Sequence, residues 1–122
     1  MDRNEATLIR AINTIYFPHL VNDYASWQSI PAPGEDTTIR DDMLRDFDHG
    51  LCYKKGRNYI KIISSRHGTN KTVHSFIVIK PTKGYEIGDI LKAASWASPA
   101  TNFKRGNVFD LSSLAAIRWT GC

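Results

Sequence analysis

The stretch "LCYKKGRNYIKIISSRHGTNKTVHSFIVIKP", residues 51–81, decides the fold of this 122-residue chain. It is rich in β-branched and aromatic residues, which is typical of strands. "KKGRN" separates the first two strands, and we expect Gly56 to supply the positive φ of that turn. "RHGTNK" forms a second turn before the strongest strand, "TVHSFIVIKP", which Pro81 ends. The stretch therefore predicts three antiparallel strands in succession.

Shorter strands are expected to extend the sheet after the turn "TKGYE". The segments "DILKAAS" (89–95) and "NVFD" (107–110) are predicted as strands, and "AAIRWTG" (115–121) as a last one. "LSSLAA" (111–116) is predicted as a helical turn.

The residues before the sheet have a helical pattern. Apolar residues recur there at helical spacing: Leu8, Ile12, Ile15 and Tyr16. Asn4 is a suitable N-cap. Pro18 is expected to split the pattern into a helix ending near Tyr16 and a second helix from Pro18 to about Ser26.

A third helix is predicted after the loop "SIPAPGEDTT" (29–38). It covers "TTIRDDMLRDFDHG" (37–50), with Thr37 or Thr38 as its cap and Gly50 at its end. These elements predict an α+β fold in one domain, 1–122. Its N-terminal helices (1–48) pack on one face of a four- or five-stranded, mainly antiparallel sheet (49–122).

Charge is distributed unevenly along the chain, which has a net charge of +4. Residues 1–48 hold nine acids against four arginines, whereas residues 49–85 hold eight cations and no acid. An acid-free basic region of this length favours a phosphate-rich partner such as nucleic acid or a nucleotide.

The hairpin around "KKGRN" is the first candidate binding site. Alternation along the second strand places Tyr59 and Lys61 on one side, and Ile60 and Ile62 on the other. The cations Lys54, Lys55, Arg57 and Lys61 are predicted to bind phosphate, and Tyr59 to stack on a base. The alternative is a solvated edge whose lysines oppose aggregation.

The segment "GDILKAASWASPATNFKRGNVFD" (88–110) is the second candidate. It contains no acid between its two terminal aspartates, Asp89 and Asp110. Its predicted ligand-binding residues are Lys92, Lys104 and Arg105 for phosphate, Trp96 for stacking and Asn107 for a base edge. Gly106 would also create an anion-binding nest if it adopted the left-handed conformation. In the alternative interpretation Trp96 and Phe103 are core residues, and Arg105 pairs with Asp89 or Asp110.

Features that indicate catalysis are weak. Asp42, Asp46 and Asp48 have a spacing that could hold Mg²⁺, but Arg40 and Arg45 lie between them. His74 and Ser75 are neighbours on a strand and are expected to face opposite sides, so they are not predicted to form a base–nucleophile pair. No catalytic residue, metal site or cofactor is predicted, and Cys52 and Cys122 are expected to be free thiols.

No apolar run approaches the length of a membrane span, and the N-terminus does not have the pattern of a signal peptide. We therefore expect a protein of the cytoplasm that has no membrane partner.

The second half of the chain resembles a group of small proteins encoded by tailed bacteriophages. The shared motifs are "YIKIISS", "VHSFIV", "GDILKAASWASPA" and "KRGNVFD", in this order from Tyr59 onward, followed by "WTG". The resemblance implies a viral protein made in the cytoplasm of a bacterial host, and it implies no particular activity. Small phage proteins of this kind are often accessory proteins that bind nucleic acid, nucleotide signals or host factors.

Three hypotheses follow from the sequence. The first is a non-enzymatic accessory protein that binds phosphate-rich ligands, most simply single-stranded nucleic acid. The second is a counter-defence protein that captures a host nucleotide signal, with its pocket at the interface of a homo-oligomer, or that binds a host protein through the acidic helix 41–48. The third is a small Mg²⁺-dependent nuclease that uses Asp42, Asp46 and a lysine.

Overall fold

The chain folds into helices followed by an antiparallel sheet, in a computed structural model that describes residues 3–28 and 33–122. The five strands are adjacent in chain order. They are β1 (Cys52–Lys55), β2 (Tyr59–Arg66), β3 (Asn70–Val78), β4 (Asp89–Lys92) and β5 (Gly106–Asn107). The helices are α1 (Glu5–Ala11), α2 (Phe17–Trp27) and α3 (Thr38–Gly50). The predicted α+β class is confirmed.

The first helical run does not break at Pro18. A π-helical turn, Ile12–Tyr16, joins α1 directly to α2, and the Phe17 N–H donates to the carbonyl of Ile12. The predicted boundary is confirmed, because α2 begins at Phe17 with Pro18 in its first turn, but the run continues through the wider π turn instead of being interrupted. The predicted cap is confirmed: the Asn4 side chain accepts from the Thr7 N–H at 2.9 Å.

A side-chain hydrogen bond stabilises the start of the third helix, and a glycine ends it. Thr37 is at the N-cap but makes no side-chain capping bond. Asp36 accepts from the Thr38 N–H at 2.9 Å instead, because its carboxylate lies two residues before that donor. Gly50 ends the helix as predicted, and its backbone lies against Ser65 of β2.

One face of the sheet forms the main core with the helices. Its fully buried residues come from both layers, and the largest are Tyr16, Tyr24, Phe47, Leu8, Ile12, Leu20, Ile60, Ile62, Ile77, Ile90 and Ile117. The opposite face carries a smaller cluster of Phe76, Val78 and Leu91, with Tyr59 at its side. Helices therefore cover one face, and we call the other the open face.

Two details of the sheet differ from the prediction. The connection between β1 and β2 closes through the Gly56 N–H, which donates to the Tyr59 carbonyl at 2.8 Å. Gly56 is not among the residues with positive φ, so it provides space rather than left-handed backbone. The strand predicted at "NVFD" is shorter, because only Asn107 of that segment lies in β5.

The predicted last strand, 115–121, does not form. The 3₁₀ turn Leu111–Ala116 occupies the place of the predicted helical turn, and a tight turn from Arg118 to Gly121 follows. Asp23 of α2 accepts from the Trp119 N–H at 2.8 Å and from the Arg118 side chain at 3.1 Å. These bonds tie the segment to α2, and it does not pair as a strand of the sheet.

Candidate functional site

A row of side chains crosses the open face of the sheet. Lys54 pairs with Lys61, Lys61 with Phe76, and Phe76 with Leu91. Directly paired residues of antiparallel strands project to the same face, so two lysines lie side by side. Like charges in this arrangement destabilise a sheet. Lys54 lies on the edge strand β1, where lysine also opposes edge-to-edge association.

Trp96 lies over this row at the tip of a small hairpin. The hairpin closes through the Ala94 N–H, which donates to the Ser98 carbonyl at 3.0 Å, and through the bridge between Ala93 and Pro99. The Ser95 hydroxyl also accepts from the Ser98 N–H at 3.2 Å. These bonds hold Trp96 so that the Lys61 ammonium lies 4.6 Å from its ring centroid.

The alternative placement of Trp96 and Phe103 in the core is wrong. Trp96 is 51% exposed and Phe103 is 53% exposed. The segment 93–99 is turned back on itself by its own hydrogen bonds, so its tip cannot enter the core.

A cavity of about 320 Å³ opens beside this row. Its lining combines four predicted cations and Tyr59 with Gly56 of the turn and three residues that the sequence did not single out, Asn58, Phe76 and Ala97. The full lining is Lys54, Lys55, Gly56, Arg57, Asn58, Tyr59, Lys61, Phe76 and Ala97. The Tyr59 and Phe76 rings meet edge to face, with their centroids 6.3 Å apart. Alternation from Ser75 or Ile77 along β3 could have identified Phe76.

The cations around the cavity differ in their partners. Lys55 forms an ion pair with Glu5 at the start of α1. Within residues 3–28 and 33–122, Lys54, Arg57 and Lys61 have no carboxylate within 4.0 Å. The structure thus gathers three uncompensated cations, two clustered rings and Trp96 on one face.

The remaining predicted phosphate ligands lie elsewhere or are engaged. Lys92 pairs with Ser75, so it projects to the helix-covered side of the sheet. Lys104 lies 3.5 Å from the buried carboxylate of Asp89. The Arg105 guanidinium lies 4.1 Å from the Phe103 ring centroid, and no ion pair joins it to Asp89 or Asp110.

Asn107 and Gly106 serve the fold and do not present groups to a ligand. Asn107 was expected to present an amide edge to a ligand, but it is buried, and its amide donates to Ile87 and Asp89. Its side-chain oxygen accepts from the Phe109 N–H at 2.8 Å. Gly106 lies in β5 without positive φ, so the anion-binding nest proposed there does not form.

A buried polar cluster contradicts the prediction for His74 and Ser75. The register passes from Ile62 opposite Ser75 to Ile63 opposite Val73, so His74 is an extra residue in a β-bulge. A bulge places consecutive side chains on the same side. The His74 Nδ1 therefore lies 2.9 Å from the Ser75 hydroxyl.

The Arg118 carbonyl fixes which group donates and which accepts in each hydrogen bond of this cluster. His74 Nε2 donates to the Arg118 carbonyl at 2.7 Å, because a carbonyl only accepts. Burial lowers the pKa of His74, so the ring is neutral and its Nδ1 accepts from Ser75. Tyr16 then donates to the Ser75 oxygen at 2.7 Å, and burial raises the pKa of Tyr16.

His74 and Ser75 are in contact as a catalytic base and nucleophile would be, but the Ser75 hydroxyl is not accessible to a substrate. Ser75 and Tyr16 have no exposed surface, and His74 is 5% exposed. A substrate would not reach the hydroxyl, so the arrangement acts as a polar connection between the π turn, β3 and the C-terminal turn.

The acidic residues of α3 are engaged with neighbours. Asp42 pairs with Arg45 at 3.2 Å, and Asp46 accepts from the His67 N–H at 3.1 Å. Among the described residues, no three His, Cys, Asp or Glu side chains are grouped as a metal site would require. Cys52 and Cys122 are free, as predicted. None of the described helices combines the length and apolar character needed to span a bilayer.

Comparison with known proteins places the whole of this architecture in one family. DUF7717, a family of unknown function, matches residues 4–121. The chain belongs to this family. The DUF7717 match covers the helices together with the sheet, and so extends beyond the segment from Tyr59 onward that carried the sequence resemblance. No curated protein and no solved structure matches the chain.

Proposed function

We propose that this protein binds single-stranded nucleic acid on the open face of its sheet, without catalysis. The observation that carries the proposal is the convergence of Lys54, Arg57 and Lys61, none of which has a carboxylate partner in the described chain, beside the rings of Tyr59 and Trp96. Cations supply the contacts to phosphate, and exposed rings supply stacking platforms that accept any base.

The magnitudes suit a strand rather than a duplex. Stacking of one base on an aromatic side chain contributes about 1–3 kcal/mol, and it requires a base that is free of its neighbours. Three phosphates neutralised on a single strand would give a slope of about −2 for the logarithm of affinity against the logarithm of salt. The aromatic rings therefore favour single strands, and the cations make binding sensitive to salt.

The setting proposed for this activity is the cytoplasm of a bacterial host, where a phage accessory protein would meet single-stranded nucleic acid. The sequence resemblance to phage proteins supports that setting. The compact cavity supports a second candidate function, capture of a host nucleotide signal, because its volume of about 320 Å³ is in the range of small-ligand pockets.

The test is fluorescence anisotropy of a labelled oligothymidylate, titrated with the protein at about 50 mM and about 200 mM salt. We expect binding that weakens steeply with salt. Trp96→Leu should weaken it roughly tenfold through lost stacking. The double variant Lys54→Met/Arg57→Met should bind more weakly. The magnitude of its salt slope should fall by about 1.4, because two phosphate contacts are lost.

The matched control is Arg10→Met with Arg45→Met, which removes the same charge from helices α1 and α3, outside the open-face cavity. Its affinity should change little. Absence of binding at the lower salt, or equal losses in the site and control variants, would refute the proposed function.

A further inference from the structure

We infer that the open-face cavity selects a nucleotide with a terminal phosphate monoester, from a strand end or a free nucleotide, over an internal nucleotide. The inference rests on the proposed function and specifies its ligand.

The charge of the cavity is the first argument. Lys54, Arg57 and Lys61 line one space of about 320 Å³, and within the described residues none has a carboxylate within 4.0 Å. An internal phosphodiester brings one negative charge, whereas a terminal monoester brings about 1.5 to 2 at neutral pH and three acceptor oxygens. Three cations around one cavity match the monoester better than the diester.

The fixed position of Lys61 is the second argument. Its ammonium lies between the Trp96 ring, at 4.6 Å, and the Phe76 ring, at 5.9 Å. Lys54 lies directly opposite on β1. Two directly paired lysines repel each other, and an oxyanion with two charges bound between them relieves that repulsion.

The shape of the cavity is the third argument. The β1–β2 turn, Gly56–Asn58, bounds it on the β1–β2 side, and Ala97 of the Trp96 hairpin bounds it on the loop side. The exposed Trp96 ring and the Tyr59 ring then offer surfaces for the base.

The experiment compares three oligothymidylates of one length, labelled at an internal base: one with a 5′-phosphate, one with a 3′-phosphate and one with hydroxyls at both ends. Anisotropy titrations give the dissociation constant of each. We expect a terminally phosphorylated oligonucleotide to bind roughly tenfold more tightly than the unphosphorylated one, because the added charge meets uncompensated cations.

Two variants separate the phosphate from the base. Lys61→Met keeps the aliphatic stem and should abolish the preference for a terminal phosphate. Trp96→Leu should weaken all three oligonucleotides and leave the preference intact. Arg10→Met, which removes a cation of α1 that does not line the cavity, should change neither quantity.

Competition then identifies the source of the ligand. If thymidine monophosphate displaces the labelled oligonucleotide at concentrations where thymidine does not, the ligand is a free nucleotide. Displacement only by phosphorylated oligonucleotides would indicate a strand end. Equal dissociation constants for the three oligonucleotides would overturn the inference and leave the proposed function standing, whereas absence of binding by all three would overturn both.

Discussion

Gly50, the last residue of α3, lies so close to β2 that replacing it by alanine should destabilise the protein. A Cβ at this position would lie 2.1 Å from the Ser65 carbonyl oxygen and 2.9 Å from its hydroxyl. Ordinary contact begins near 3.4 Å, so the helix end or the strand must move by about 1.3 Å. The strand resists, because Ser65 is paired with Lys71 in the β2–β3 hairpin.

The magnitude combines three contributions. Overpacking of a rigid site costs about 1–3 kcal/mol. Displacement also weakens the bond from the Ser65 hydroxyl to the Gly50 carbonyl, which contributes about 1 kcal/mol. Alanine recovers up to about 1 kcal/mol over glycine in a helix. We therefore expect Gly50→Ala to lower the free energy of unfolding by about 1–3 kcal/mol.

Urea denaturation measures this loss as a lower midpoint with an unchanged slope. A double-mutant cycle with Ser65→Ala assigns its cause, since that substitution removes the hydroxyl contact and keeps the carbonyl. The double variant should stay destabilised. A Gly50→Ala variant as stable as the parent, or full rescue by Ser65→Ala, would refute the reasoning.

Two further predictions concern the buried polar cluster. Ser75→Ala should lower the free energy of unfolding by about 1–3 kcal/mol in urea denaturation, because Tyr16 and His74 lose their shared partner. The exposed Ser112→Ala is its control, and equal effects of the two would contradict this. Burial lowers the pKa of His74 below its ordinary 6.5, so the unfolded chain binds more protons and stability is lost as pH falls below that value. Thermal midpoints between about pH 7.5 and about pH 5 should show this fall, smaller in His74→Gln, and an equal fall in both would contradict it.

Elements with a strong local pattern could be predicted from the sequence. The strands Tyr59–Arg66 and Asn70–Val78 are long and β-branched, and the cap at Asn4 depends on residues within one turn. The C-terminal segment could not be assigned in this way. Its Trp119 N–H bonds to Asp23, a residue far away in the chain, and this contact overrides a local preference for strand.

The candidate site was predictable in part for the same reason. Alternation on β2 placed Tyr59 and Lys61 on one side and Ile60 and Ile62 on the other, as the two hydrophobic clusters confirm. The position of Trp96 over Lys61 depends on how the hairpin 93–99 folds back on the sheet. The bulge at His74 depends on the register between β2 and β3, and no pattern within β3 indicates it.

The π turn helps to keep the buried residues of the N-terminal helices on one face. Leu8, Ile12, Tyr16, Leu20 and Tyr24 recur at every fourth position, and all are buried. Four residues of a regular α-helix turn about 400°, so each would be rotated about 40° past the one before it, and the last would face away from the first. The wider winding at Ile12–Tyr16 offsets part of this drift. Deleting one residue there would restore a regular α-helical turn and leave the two ends of the apolar stripe close to their present relation, whereas the same deletion within α2 would turn the residues beyond it by about 100°.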